Sequence, residues 1–480
     1  MNYSIIFYIM GWILNFEAAF MVLPCIVALI YGEQAGWSFV ITMALCLVIG
    51  IPLVIKKPKK QIFYTSEGFV TVSLCWIVLS IMGALPFLFS GSIASPVDAL
   101  FETVSGFTTT GASILSDVES LPRSILFWRS FTHWIGGMGV LVFILSLLPL
   151  TGGGSHMNLM KAESPGPSVS RLVPKVRLTA KLLYSIYLFM TVLEILFLLA
   201  GKMPFFDAIT ITFGTAGTGG FAIKNSSIAD YSPYLQNVVT IFMILFGVNF
   251  SVYFLIFMKK IGQALKMEEL RWYLIIIAAA IGIITFNTAG LYPGLGDAFH
   301  HASFQVASII TTTGFATQDF DLWPQASKTI LVMLMFVGAC AGSTGGGIKV
   351  SRLVVLVKTV RKELIQFLHP QAVRKIKMDG KVVEHEVVRS INVFMVAYTL
   401  LFSLSVLLLA FDGEDLITNF TAVAATFNNI GPGLELVGPS KNFSIFSDPA
   451  KLVLIFDMLA GRLEIFPVLL LFSRETWKKF

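Results

Sequence analysis

Apolar runs long enough to cross a bilayer recur along the whole chain, separated by short polar or charged stretches. A helical span needs about 20 predominantly apolar residues. Two such runs come first, at 5–31 and 36–55, closed by Lys56-Lys57-Pro58-Lys59-Lys60. A longer pattern then repeats four times: an apolar span, a short helical segment, a polar break ending in glycine, and a second span. The units run over 68–149, 176–260, 269–362 and 387–472, with short helices expected at 97–107, 205–215, 297–310 and 414–427. The pattern divides the chain into 1–67, with two N-terminal helices, and repeats at 68–175, 176–268, 269–386 and 387–480. Ten spans and four re-entrant helices fill nearly all of it, leaving no room for a soluble catalytic domain.

The breaks carry the chemistry. Thr108-Thr109-Thr110-Gly111-Ala112 has a close copy in Thr311-Thr312-Thr313-Gly314-Phe315-Ala316. A looser copy is Gly217-Thr218-Gly219-Gly220-Phe221-Ala222, and a divergent one is Asn428-Asn429-Ile430-Gly431-Pro432. Non-helical backbone at membrane depth is tolerated only where it is buried or lines water. Rings of backbone carbonyls can replace a cation's hydration shell, and glycine lets the backbone enter positive φ to aim them. One such motif reads equally well as helix packing by small hydroxyl residues. Four copies in register with four span pairs favour a single ring built from one chain. The fold expected is therefore all-α and polytopic: four pseudo-symmetric span–pore-helix–filter–span repeats around one ion pore, preceded by two extra transmembrane helices.

The candidate filter comprises Thr109, Thr110 and Gly111; Thr218, Gly219 and Gly220; Thr312, Thr313 and Gly314; and Asn429, Ile430 and Gly431. The carbonyls of Thr110, Gly111, Gly219, Gly220, Thr313, Gly314, Ile430 and Gly431 are the candidate ion ligands. In the second repeat, Gly219 and Gly220 compete for the equivalent glycine position. Asp98, Asp207, Asp297 and Asp415 fall near the starts of the short helices, where acidic residues cap and match the helix dipole. The C-terminal, partly negative ends of those helices would point towards the pore and favour a cation.

Composition agrees with this reading. Of 480 residues, 56% are hydrophobic and only 13% charged, far from a soluble average. The first apolar run lacks a basic leader and a cleavage site and is too long for a signal core, so it is expected to be retained. Cys25, Cys46, Cys75 and Cys340 lie in apolar stretches without metal-ligand spacing and read as packing residues. Most of the 34 lysines and arginines cluster at 56–60, 161–181, 259–271, 349–389 and 474–479. The positive-inside rule makes these clusters, and both termini, cytoplasmic. They flank spans, which argues against nucleic-acid binding. The opposite loops hold Asp117, Glu119, Asp230, Asp319, Asp321, Glu435 and Asp448, predicting an acidic mouth. The stretch 151–157 reads like a tag remnant but runs on without interruption, and is taken as native loop.

Two further features stand out in the inner spans. Arg462 lies inside an apolar span, where a charge costs roughly 2.5–3.5 kcal/mol and is functional by default; pairing with Glu464 or Asp457 is the structural alternative. The third unit's inner span is interrupted by Gly338-Ala339-Cys340-Ala341-Gly342-Ser343-Thr344-Gly345-Gly346-Gly347, too glycine-rich for a continuous helix.

With these residues in view, the chain resembles the Trk-type membrane subunit of the bacterial Trk/Ktr/HKT potassium-uptake superfamily. The resemblance is carried by Phe101-Glu102-Thr103-Val104-Ser105-Gly106-Phe107 leading into the first break, Phe127-Trp128-Arg129-Ser130, and Trp134-Ile135-Gly136-Gly137-Met138-Gly139. Ala162-Glu163-Ser164-Pro165-Gly166-Pro167, Asn428 to Gly433, and Gly461-Arg462-Leu463-Glu464-Ile465-Phe466 add to it. It implies potassium uptake across the bacterial cytoplasmic (inner) membrane, K+ as the transported ion without organic cofactor, a homodimer in membrane lipid with one pore per subunit, and cytosolic nucleotide-binding regulatory subunits docked on basic loops that include 349–389. Selectivity glycines map to Gly111, Gly220, Gly314 and Gly431; sodium-favouring relatives carry serine at the first, so Gly111 implies potassium. Arg462 becomes a barrier in the ion path, and the run with Gly338, Gly342, Gly345, Gly346 and Gly347 an intramembrane gating loop.

Other chemistries fit less well. Gly294-Leu295-Gly296-Asp297 matches the GxGD pattern of intramembrane aspartyl proteases, without an evident second membrane aspartate. His300-His301 lacks further ligands at helical spacing. No HExxH, phosphate-loop lysine or nucleophile elbow appears, so an enzyme is not expected. A secondary transporter coupling K+ to H+ or Na+ is the runner-up, since broken helices mark those too.

Overall fold

The computed structural model describes residues 1–58, 65–137, 139, 176–371 and 374–477. The end of the first inner span, the 151–157 loop, the Ala162–Pro167 motif and part of the basic clusters lie outside these residues. The chain is a polytopic helical membrane protein. Its opening helices, Tyr3–Phe20 and Val22–Tyr31, form one stretch interrupted at Met21, followed by Gly36–Ile55.

The outer helices of the four units are Thr65–Phe89, Val176–Ala200, Glu268–Thr288 and His385–Leu409. Each is followed by a short helix: Pro96–Phe107, Phe205–Gly217, Leu295–Ile310 and Leu416–Phe427. A helix apolar or small-residued on all sides is a buried one, and the short helices follow this rule. Their C-terminal halves, such as Phe101 to Phe107 and Thr421 to Phe427, are buried all round. The outer helices instead present Leu188, Phe189, Leu196, Leu400, Leu404 and Leu407 on the exposed surface.

The inner segments depart from simple spans. The first, Arg123–Gly137, runs into undescribed residues. The second is two helices, Pro233–Phe246 and Phe250–Phe257, bent by 91°. The third is Gln325–Val337 and Val350–Leu368, parted by an irregular stretch that contains the glycine run. In the fourth, Asp448–Arg462 gives way to Phe466–Phe472 through positive φ at Glu464 and Ile465. Hence only six described helices are long and apolar enough to cross a membrane alone, or seven with the bent pair. The ten expected spans were counted from hydropathy, which does not register breaks made by backbone conformation. The third-to-fourth connection also holds a small hairpin, Lys377–Met378 against Lys381–Val382.

Of the four aspartates expected as caps, only Asp415 is one, accepting from the backbone N–H groups of Ile417 (2.8 Å) and Thr418 (3.0 Å). Hydrogen bonds from the Thr418 hydroxyl and backbone hold its carboxyl below the usual range. Ser95 caps the first short helix, which frees Asp98 to pair with Lys451 at 2.6 Å. Asp207 accepts from the Tyr231 hydroxyl at 2.9 Å, tying the second short helix to its exit loop.

Candidate functional site: four glycine turns around one ring

Each short helix ends in the same backbone turn. Residues Thr109, Thr218, Thr312 and Asn429 have φ of 56, 55, 58 and 55°, and Gly111, Gly220, Gly314 and Gly431 have 79, 75, 86 and 104°. The residue between donates back to the helix: Thr110 to Ser105, Gly219 to Gly214, Thr313 to Ser308 and Ile430 to Ala425, at 2.8–2.9 Å. This register puts Gly220 in step with the other three glycines and Gly219 in step with Thr110, Thr313 and Ile430. A β-branched residue at positive φ is unusual, and three threonines hold it here.

The turns follow one another in a circle. A methyl group on Gly111 would overlap the carbonyl of Gly219; on Gly220, that of Thr313; on Gly314, that of Ile430. On Gly431 it would come to 2.9 Å from the carbonyl oxygen of Thr110, which closes the cycle. Each glycine thus allows close approach to the carbonyl preceding the next one, besides supplying a positive φ.

A buried ion pair braces the first two turns. Glu102 and Arg129 meet at 2.7 Å, both almost fully buried. Glu102 also accepts from the Ser113 hydroxyl (3.0 Å) and the Ile114 N–H (3.1 Å), while Arg129 donates to the Ala222 carbonyl (3.1 Å) and lies over the Phe221 ring. His133 joins the end of the first short helix to the segment leaving the second turn. Its Nδ1 lies 2.7 Å from the Gly106 carbonyl and its Nε2 accepts from the Phe221 N–H at 3.1 Å. A carbonyl only accepts, so Nδ1 carries the proton and the ring is neutral. On the fourth turn, Asn429 donates to the Thr110 hydroxyl and the Met458 carbonyl, both at 2.9 Å.

The cavity above the ring is lined by all four glycines and by Arg129, Lys224 and Lys441, with no carboxylate among its described lining residues. The acidic residues expected at the mouth lie in the loops around this cavity and not on its wall. The loop carboxylates organise the loops instead: Asp117 accepts from Asn225, which holds its carboxyl low, and Asp319 accepts from Ser440.

Below the ring lies the glycine-rich loop. Gly338, Gly342 and Gly347 take positive φ. Gly345 and Gly346 are packed too tightly for a side chain, against Ala339 and the Asn428 carbonyl. The Gly346 N–H donates to the Thr312 hydroxyl at 2.6 Å, so the loop touches the third turn. Arg462 reaches across from the fourth unit. It donates to the carbonyls of Gly136, Gly137 (2.9 Å) and Thr344 (3.0 Å), linking the first inner helix to the loop. The carboxylate alternatives have other partners: Glu464 pairs with Arg352, and Asp457 accepts from Ser405 at 2.7 Å. Lys349, at φ 80°, donates to the Gly345 carbonyl.

Sequence reasoning missed Glu102, Arg129 and His133, which brace the turns. The available signal was that ionisable groups in apolar segments are rarely incidental, and Glu102 and Arg129 both met it. His300 contacts Gln236 and Asn237, and His301 contacts Thr317. No cluster of potential metal ligands occurs among the described residues.

Known proteins share this fold. The chain is 38% identical to the Trk system potassium uptake protein TrkH of Salmonella typhimurium and of Escherichia coli K12, over the full length of each. It is 36% identical to TrkG of E. coli K12, covering 98% of this chain and 97% of that one. The crystal structure of the potassium transporter TrkH from Vibrio parahaemolyticus superposes with a TM-score of 0.89 at 35% identity, covering both chains completely. The TrkH family model, described as a cation transport protein, matches residues 35–479. A protein with these likenesses is a transport protein and not an enzyme, and the chain belongs to the TrkH cation transport family.

Proposed function

We propose that this chain takes up potassium through a single pore, with the four glycine turns as its selectivity filter. The observation that carries the reading is the closed cycle in which each glycine packs against the carbonyl of the next turn. Carbonyls at Thr110, Gly219, Thr313 and Ile430, with those of the adjoining glycines, then surround one axis and stand in for water around a dehydrated cation. Potassium is the ion named for the relatives. The four units act as pseudo-equivalent repeats, divided at 68, 176, 269 and 387, in a multi-pass protein of the bacterial inner membrane with both termini cytoplasmic. The active form is a homodimer in lipid. Cytosolic nucleotide-binding subunits control it from the basic face between Lys349 and Arg389, where the hairpin at 377–382 adds a surface for docking.

The loop at 338–347 and Arg462 form the gate. The guanidinium places a fixed positive charge directly below the filter, tied to carbonyls on two units. Arg462→Ala removes that charge and both ties. In proteoliposomes without regulatory subunits, potassium flux is expected to rise about tenfold, the effect of removing roughly 1.4 kcal/mol of barrier. Wild-type flux from well-incorporated variant protein would refute the gate. Recording internal pH in the same vesicles tests proton coupling; potassium entry without proton movement is the expected result.

A further inference from the structure

We propose that Glu269 is the clasp that keeps the 338–347 loop under the filter, and that displacement of the helix Val350–Leu368 opens the pathway by drawing Ser351 out of this clasp. The proposal rests on the pore reading above. Glu269 lies in the first turn of the third outer helix and is 3% exposed. One of its oxygens, Oε1, accepts from the N–H groups of Ala341 (2.7 Å) and Ser351 (3.2 Å). Those residues stand on either side of the run Gly342 to Gly347, so a single carboxylate oxygen draws the two shoulders of the loop together.

The other oxygen faces the 91° break in the second inner segment. Asn249 donates to Oε2 at 3.4 Å and caps the following helix through the Ser251 N–H at 2.9 Å. The loop lies along the same break: the Phe250 N–H donates to the Gly342 carbonyl, and the Cys340 N–H to the Gly247 carbonyl, both at 3.0 Å. Glu269 therefore joins three elements at one point: the broken helix, the loop, and the start of Val350–Leu368. The neighbouring Glu268 pairs with Lys358, farther along that last helix. Two adjacent carboxylates thus grip Val350–Leu368 at separated points, and its far end exposes Val357, Val360, Leu364 and Phe367. A displacement of this helix cannot leave Ser351 in place, and losing Ser351 releases one shoulder of the loop.

A buried carboxylate needs its donors and the N–H groups need an acceptor. An uncharged but isosteric amide retains an acceptor oxygen, whereas alanine does not. The test uses the full-length chain in proteoliposomes without cytosolic subunits, reading potassium and sodium flux for wild type, Glu269→Ala, Glu269→Gln, Asn249→Ala and Arg462→Ala. Glu269→Ala is expected to raise potassium flux about tenfold, the size expected for losing charge-assisted hydrogen bonds to the closed loop, with the potassium preference unchanged. Glu269→Gln is expected between it and wild type. Asn249→Ala, which leaves the carboxylate in place, is expected to give a smaller rise and keeps the test usable if Glu269→Ala does not assemble. Wild-type flux from both Glu269→Ala and Asn249→Ala beside fast Arg462→Ala overturns the clasp and leaves the gate standing. Wild-type flux from all three overturns the gate and the clasp with it. A rise accompanied by loss of preference also overturns the clasp, because it places the damage in the filter.

Discussion

Gly111→Ser is expected to lower the preference for potassium over sodium by at least about tenfold while the protein still assembles. Two effects act at that position. The backbone sits at φ 79°, a conformation that costs a residue with a β-carbon roughly 1–2 kcal/mol. The added β-carbon would also overlap the carbonyl of Gly219, so that strand must withdraw. A withdrawn carbonyl widens one side of the ring, and the serine hydroxyl offers a polar group to a smaller, hydrated ion. A change of 1.4 kcal/mol is tenfold in relative affinity, within reach of either effect alone. Competition of potassium and sodium for flux in proteoliposomes measures it. Gly282→Ala is the control, because a β-carbon there meets no other part of the protein beyond its own helix within 4 Å and the preference should not move. An undiminished preference in Gly111→Ser would mean that the first turn does not set selectivity.

Arg129→Met is expected to destabilise the folded protein by about 3–5 kcal/mol, the usual consequence of removing one partner from a buried pair. Glu102 is left buried without its cation, and the Ala222 carbonyl loses its donor. Unfolding in a denaturing detergent, followed by tryptophan fluorescence, reads the loss. Replacing both partners by Glu102→Leu with Arg129→Met should recover much of the stability, because apolar groups of similar volume often substitute for a buried pair. Selectivity should not recover with it. The Ile114 N–H and the Ala222 carbonyl, on the strands leaving the first and second turns, still lack their partners. A change below about 1 kcal/mol in the single variant would show that the pair is incidental to the fold.

The difference between those two sites shows what could be read from the chain alone. Glycine at a repeated place after a run of hydroxyl residues has one economical explanation, positive φ, and the structure has it at Gly111, Gly220, Gly314 and Gly431. The register of the second turn is open between Gly219 and Gly220 in the sequence because both are glycine; the left-handed Thr218, the positive φ of Gly220 and the bond from the Gly219 N–H back to Gly214 fix it. The opening helix Gly36–Ile55 and the short helix Pro96–Phe107 were legible for the same reason, since hydropathy and a local turn signal bound them. The 91° break at residues 247–249 was not, because Gly247 and Asn249 sit in a run as apolar as any span. Its cause is tertiary: the Gly247 carbonyl and the Phe250 N–H take their backbone partners, Cys340 and Gly342, from a loop nearly a hundred residues away instead of from a continuing helix. The lining of the cavity above the ring was hidden for a related reason. Charge counting located the carboxylates in the right loops but could not tell that loop hydrogen bonds occupy Asp117 and Asp319, leaving Lys224 and Lys441 to line the cavity.

One ring of backbone carbonyls, on the reading proposed above, holds the transported ion. Crystals of the wild-type chain grown in thallium, a heavy mimic of potassium, would test it by anomalous scattering. A peak is expected on the axis of the four turns, surrounded by the carbonyls of Thr110, Gly219, Thr313 and Ile430. Thallium that is transported but gives no peak within that ring would contradict it.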